Sequence, residues 1–233
     1  MRLDQYLSTS TALSRKEAKK AISQGRVSVE GVSARSANLQ VATDANVELD
    51  GSALRLPGEV YLMMNKPDGV ISATSDSSQP TAVDLLPSSL ASKVHIAGRL
   101  DKDTTGLLLL TSDGRWSHQV TSPRRDCPKT YQVQLAEPLG SKAKVQLETG
   151  VVLKDEDKPT LPASVVECSE TVIELTIKEG RYHQVKRMLA AVGNHVTGLH
   201  RLRIGTITLD PALAPGQYRE LTENEIRSIA ERA

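Results

Sequence analysis

Apolar positions in the first 56 residues recur at helical spacing and then switch to alternation. Leu3 through Leu7 fits a short helix. Ser14 opens a second helix: Glu17 stands three residues on, the spacing in which cap and carboxylate each satisfy a free backbone amide. Leu13 before that cap and Ala18 after it are placed for the accompanying hydrophobic contact. Ala18, Ala21 and Ile22 form the apolar stripe, with Gly25 as the stop. Arg26 to Val29 alternates as a strand turned by Glu30-Gly31, and Val47-Glu48-Leu49 before Asp50-Gly51 reads as another hairpin. Leu56-Pro57-Gly58-Glu59 interrupts the pattern. The expected division is a small domain over 1–56, a linker over 57–60 and a larger domain over 61–233.

The larger part mixes strands and helices without regular alternation. Tyr61 to Met64 is a strand ending at Lys66-Pro67, and the unbroken run Leu107 to Leu110 is a buried strand. Tyr131, Val133 and Leu135 share one strand face, and Ile173, Leu175 and Ile177 another. Val185, Met188, Leu189 and Val192 have helical spacing, closed by Gly193-Asn194. Thr222 with Glu225 repeats the capping-box spacing. The pattern predicts an α+β fold with a mostly antiparallel sheet.

Composition narrows the class. The 233 residues are 39% hydrophobic and 24% charged, a balance that favours a folded chain over a disordered one. No apolar run approaches the ~20 residues of a membrane span, and the opening Met1-Arg2-Leu3-Asp4 does not read as a signal peptide. Cys127 and Cys168 lack the spacing of a zinc or redox pair and fit a reducing cytoplasm. The net charge of +1 removes the general argument for nucleic-acid binding, so distribution matters instead. Two basic fields remain: Arg2, Arg15, Lys16, Lys19, Lys20 and Arg26 near the start, and Arg181, Lys186, Arg187, Arg201 and Arg203 with three histidines later. Each reads either as a grip on a polyanion or as a solvated face.

Three segments carry candidate chemistry. Gly98-Arg99-Leu100-Asp101-Lys102-Asp103-Thr104-Thr105-Gly106 is a loop with glycines at both ends, mounted on the buried run that follows. If extended, it points Asp101 and Asp103 the same way, which admits a two-carboxylate glycosidase with oxygens roughly 5–9 Å apart; the alternative is a turn-capping Asp. Lys129-Thr130-Tyr131 offers a tyrosine that serves either as core or as a stacking platform for a base. Glu179-Gly180-Arg181-Tyr182-His183-Gln184-Val185-Lys186-Arg187 runs from a strand into a helix and frees a cation for a phosphate or carboxylate. Phosphate-loop and His-Glu-x-x-His motifs are lacking, and no metal or cofactor is expected.

In this order the three segments resemble the bacterial small-subunit rRNA pseudouridine synthase family, over nearly the whole chain. The N-terminal pattern of Arg2-Leu3-Asp4, Leu7, Ser14-Arg15, Ala18, Ile22, Gly25 and Val27 is similar to the S4 RNA-binding domain. The resemblance implies a reacting aspartate at Asp101, a base-packing tyrosine at Tyr131 and a basic partner at Lys186, with Arg99, Thr105 and Arg187 in support. Relatives often carry arginine at the Lys186 position, and lysine cannot make arginine's two-pronged carboxylate contact. It further implies RNA contacts through Arg2, Arg15, Lys16, Lys19, Lys20, Arg26, Arg181 and His183. The expected substrate is a uridine of 16S rRNA, at position 516, free or within a partly assembled small ribosomal subunit. The expected protein is a monomer in the cytoplasm without cofactor. Action on 23S rRNA and a non-catalytic ribosome-assembly role are the alternatives.

Overall fold

Ser14 begins the local order of the N-terminal unit. Its hydroxyl accepts from the Glu17 amide (3.3 Å), and the Glu17 carboxylate accepts from the Ser14 amide (2.8 Å), an arrangement worth about 1 kcal/mol. The computed structural model describes residues 1–43, 45–54, 56, 58–122 and 125–230; Pro57 of the expected linker lies outside them. The chain divides into Met1–Gly58 and Glu59–Ala233. In the first unit, helices α1 (Leu3–Ser10) and α2 (Arg15–Ser23) precede strands β1 (Val27–Val29), β2 (Val32–Ser33), β3 (Val47–Leu49) and β4 (Ser52–Leu54). These strands form an antiparallel sheet in the order β2-β1-β3-β4. Glu30-Gly31 and Asp50-Gly51 all take positive φ, as two-residue hairpins that match strand twist require. Leu3, Tyr6, Leu7, Ala18, Ala21, Ile22, Val27 and Val47 make the core.

The second unit opens with β5 (Tyr61–Lys66), α3 (Ser88–Ala91), β6 (His95–Ala97), β7 (Thr105–Thr111) and α4 (Gly114–Thr121). It continues through β8 (Lys129–Leu135), α5 (Ser141–Thr149), β9 (Ser164–Glu167), β10 (Val172–Ile177) and α6 (Gln184–Ala191). Last come β11 (Val196–Ile204), β12 (Ile207–Thr208), β13 (Tyr218–Glu220) and α7 (Glu223–Ala230). The sheet runs β13-β5-β7-β11-β8-β10-β9, with β12 on β11 and β6 on β7. It is antiparallel except for β7 beside β11. β7 is apolar without alternation because both its faces are covered: Leu108 and Leu110 enter one core, Leu107 and Leu109 the other. β8 has one covered face and does alternate, Tyr131, Val133 and Leu135 inward, Gln132 and Gln134 exposed. Among the described residues no helix is long and apolar enough to cross a membrane.

Candidate active site

The loop between β6 and β7 is fastened from below. Gly98 and Gly106 both take positive φ, +92° and +100°. A Cβ on Gly106 would lie 2.4 Å from the Arg201 carbonyl oxygen, so only glycine lets β7 run against β11 here. Arg201 itself is 1% exposed. Its guanidinium donates to the carbonyls of Leu107 (2.8 Å), Gly98 (2.8 Å) and Arg99 (3.3 Å). Lys66, also buried, donates to the carbonyls of Pro67 (3.0 Å), Lys102 (3.1 Å) and Thr104 (2.8 Å). Burial pulls its ammonium down to about 8. One cation grips the start of the loop, the other its end.

Asp101 is carried between these anchors, with its side chain 32% exposed. The chain turns rather than extends: the Thr104 amide donates to the Asp101 carbonyl (3.1 Å). Asp101 and Asp103 are therefore not the extended pair that a two-carboxylate hydrolase suggested. They share a cation instead. Lys186 Nζ lies 2.6 Å from Asp103 Oδ1 and 3.8 Å from Asp101 Oδ2. Its hydrogen bond holds the Asp103 carboxyl below the usual range. His183 Nε2 stands 3.5 Å from Asp101 Oδ1.

Tyr131 reaches the same cleft from β8. It is paired across the sheet with Arg201, whose Nη1 lies 3.5 Å from its hydroxyl and whose guanidinium carbon is 5.9 Å from the ring centroid. The cleft, of about 760 Å³, is lined by Arg99, Asp101, Thr104, Tyr131, Arg181, His183, Lys186 and Arg201 among others. Three segments distant in sequence thus converge in one place. Thr105, expected in support, instead meets His200 Nδ1 with its hydroxyl (2.8 Å). Its neighbour Thr104 lines the cleft, with a buried Oγ1 that has no hydrogen-bond partner among the described residues.

The later basic field is mostly engaged with neighbouring carboxylates and carbonyls. Arg181 binds Glu179 (3.0 Å), Glu156 (2.5 Å) and the carbonyls of Lys158 and Pro159. Arg187 binds Glu156 (2.6 Å) and the carbonyls of Lys154 and Tyr182. These bonds, Arg181 first, hold the Glu156 carboxyl low. Arg187 therefore braces the turn before α6, and Lys186 is the cation that faces Asp101. Arg201 is interior.

The first field divides as well. Arg2 is bidentate to Asp4 (3.0 and 2.8 Å), with Lys19 at 3.9 Å, and Arg26 pairs with Asp50 through both Nε and Nη2. Arg15, Lys16 and Lys20 stand exposed on α2, away from its buried Ala18, Ala21 and Ile22.

Comparison with known proteins decides what the cleft belongs to. A family model described as RNA pseudouridylate synthase matches residues 60–191, and an S4 domain model matches residues 1–47. The chain belongs to the RNA pseudouridylate synthase family. It is 49% identical over 229 residues to the ribosomal small subunit pseudouridine synthase A of Vibrio cholerae, covering 98% of this chain and 99% of that one. With the protein of the same name from Escherichia coli it is 49% identical over 230 residues, covering 98% and 100%. A crystal structure described as a pseudouridylate synthase matches with a TM-score of 0.72 at 42% identity, over 98% and 99% of the two chains. As a member of the RNA pseudouridylate synthase family, the chain is an enzyme, with an S4 domain before its catalytic domain.

Two buried cations that fasten the loop of this synthase cleft escape a reading of the sequence as charge clusters: Arg201, counted there as a surface cation, and Lys66, taken only as a strand end. Arg201 left one usable signal. It follows Leu199 by two positions in a strand, so it shares a face with a core residue.

Proposed function

We propose that the enzyme isomerises a uridine of 16S rRNA, expected at position 516, to pseudouridine. The observation that carries this reading is the convergence of Asp101, Tyr131 and Lys186 in one cleft, in a chain 49% identical to relatives named as small-subunit pseudouridine synthases. In the reaction the N1–C1′ bond breaks, the base turns in place and a C5–C1′ bond forms. C5 gives up a proton and N1 ends with one, so the atoms balance without a co-reactant. A uridine paired in rRNA must first leave its stack, at a cost of a few kcal/mol that cleft contacts offset. Asp101 acts as the reacting carboxylate with Lys186 as its counter-charge, and Tyr131 packs on the base. Arg15, Lys16 and Lys20 hold phosphates, an interaction that positions without reading sequence. The setting implied is the cytoplasm, on rRNA free or in an assembling particle.

Base-resolved pseudouridine mapping tests the substrate. Purified protein is incubated with 16S and 23S rRNA, each free and in partly assembled particles. One product site at 16S position 516 is expected. A 23S site overturns the substrate and keeps the chemistry; tight binding with no product on any RNA favours the assembly role.

A further inference from the structure

Tyr182 is the most exposed of the large hydrophobic side chains described, at 76%. Its ring lies nearly flat on His183, centroids 3.8 Å apart and planes 21° from parallel. His183 in turn faces Asp101, and both rings line the cleft. Planar groups therefore run in series from the Asp101 carboxylate to solvent, and the outermost ring is largely open to water.

The segment that displays this ring is braced. Arg187 Nη1 donates to the Tyr182 carbonyl (3.2 Å), and the Arg181 amide donates to Gln184 Oε1 (2.8 Å). Gln184 Nε2 donates to Glu179 (2.9 Å), which also accepts from Arg181. Within that brace His183 takes φ +46° and ψ +36°, a left-handed conformation that an L residue adopts at a cost. An exposed aromatic on a loose loop needs no explanation. A ring pair fixed by a strained, multiply bonded turn at the rim of a cleft is preorganised for a flat partner. Nucleobases are such partners, and each has a face to stack.

We infer that Tyr182 and His183 form a stacking subsite for a nucleobase next to the uridine held in the cleft. The inference rests on the proposed function. The target base occupies the buried end, against Tyr131. The strand then passes the rim, where Tyr182 takes the neighbouring base by its face and does so without regard to sequence.

The test compares wild type with Tyr182→Ala and Tyr182→Phe in pseudouridine formation on 16S rRNA. It is paired with fluorescence of a uridine-centred RNA oligonucleotide carrying 2-aminopurine on either side. Tyr182→Ala is expected to raise KM on the order of 10-fold with kcat unchanged. The salt dependence of binding stays the same, because every phosphate keeps its cation. Wild type and Tyr182→Phe quench 2-aminopurine, and Tyr182→Ala does not. Wild-type KM and wild-type quenching in Tyr182→Ala overturn the subsite. So does a kcat loss at unchanged KM, which makes the ring a prop for His183. If wild type forms no pseudouridine, the functional reading fails, and the quenching still decides the subsite.

Discussion

On α2 of the N-terminal unit, Arg15, Lys16 and Lys20 stand exposed, whereas Lys66, Lys129 and Arg201 of the larger unit are buried and bonded to backbone carbonyls. The same side-chain chemistry does opposite work in the two places. Exposed cations keep their charge available for a long-range, salt-sensitive attraction to phosphates. Buried cations use theirs on a handful of carbonyls, and geometry is the return: Arg201 and Lys66 fix the two ends of the loop that carries Asp101. A buried charge without a carboxylate beside it is costly unless its donors are satisfied, and here carbonyls of the very loop being held accept them. Counting positive residues along a chain therefore says little about nucleic-acid binding until burial is known.

The sharpest way to break this comparison is Arg201→Met. It leaves the carbonyls of Gly98, Arg99 and Leu107 without that donor, at about 1–3 kcal/mol for each group that stays buried. Thermal unfolding should show a loss of at least about 3 kcal/mol, with turnover lost and Arg201→Lys recovering part of it. A variant with native stability and full activity would return Arg201 to the surface field.

A smaller effect is expected from changing Lys16 and Lys20 together to Gln. RNA affinity should weaken, and the slope of log affinity against log salt should fall by roughly 1 for each phosphate that a lysine no longer neutralises. An unchanged slope makes these lysines an ordinary solvated face.

A pH-dependent effect belongs to Lys66. Its folded value of about 8 lies below the ordinary 10.5, so between those values the unfolded chain binds more protons at this side chain. Stability attributable to Lys66 therefore rises with pH: the penalty is full below pH 8 and gone above 10.5. Melting curves of wild type and Lys66→Met across this window should show wild type gaining on the variant. A constant gap would mean that burial does not perturb the ammonium.

Much of the fold was legible because it rests on local chemistry. The Ser14–Glu17 and Thr222–Glu225 boxes, the Glu30-Gly31 and Asp50-Gly51 turns and the alternating strands β8 and β10 all follow from residues within a few positions of each other. The candidate site was legible only through its motif residues, and the convergence of Asp101, Tyr131 and Lys186 required the topology. What stayed hidden was long-range. Parallel pairing of β7 with β11 brings Arg201 under a loop about a hundred residues earlier in the chain. No local spacing encodes that pairing. Nor could spacing tell that Arg187 would turn to Glu156 while Lys186 faces Asp101 and Asp103.

The most direct test of the central claim is single-turnover pseudouridine formation by Asp101→Asn and Asp103→Asn, with RNA affinity measured on the same proteins. Asp101→Asn should bind RNA as wild type does and form product slower by at least roughly 10²–10⁴-fold, while Asp103→Asn keeps most of its activity. Appreciable turnover by Asp101→Asn, or equal loss in both variants, would contradict a mechanism built on Asp101 alone.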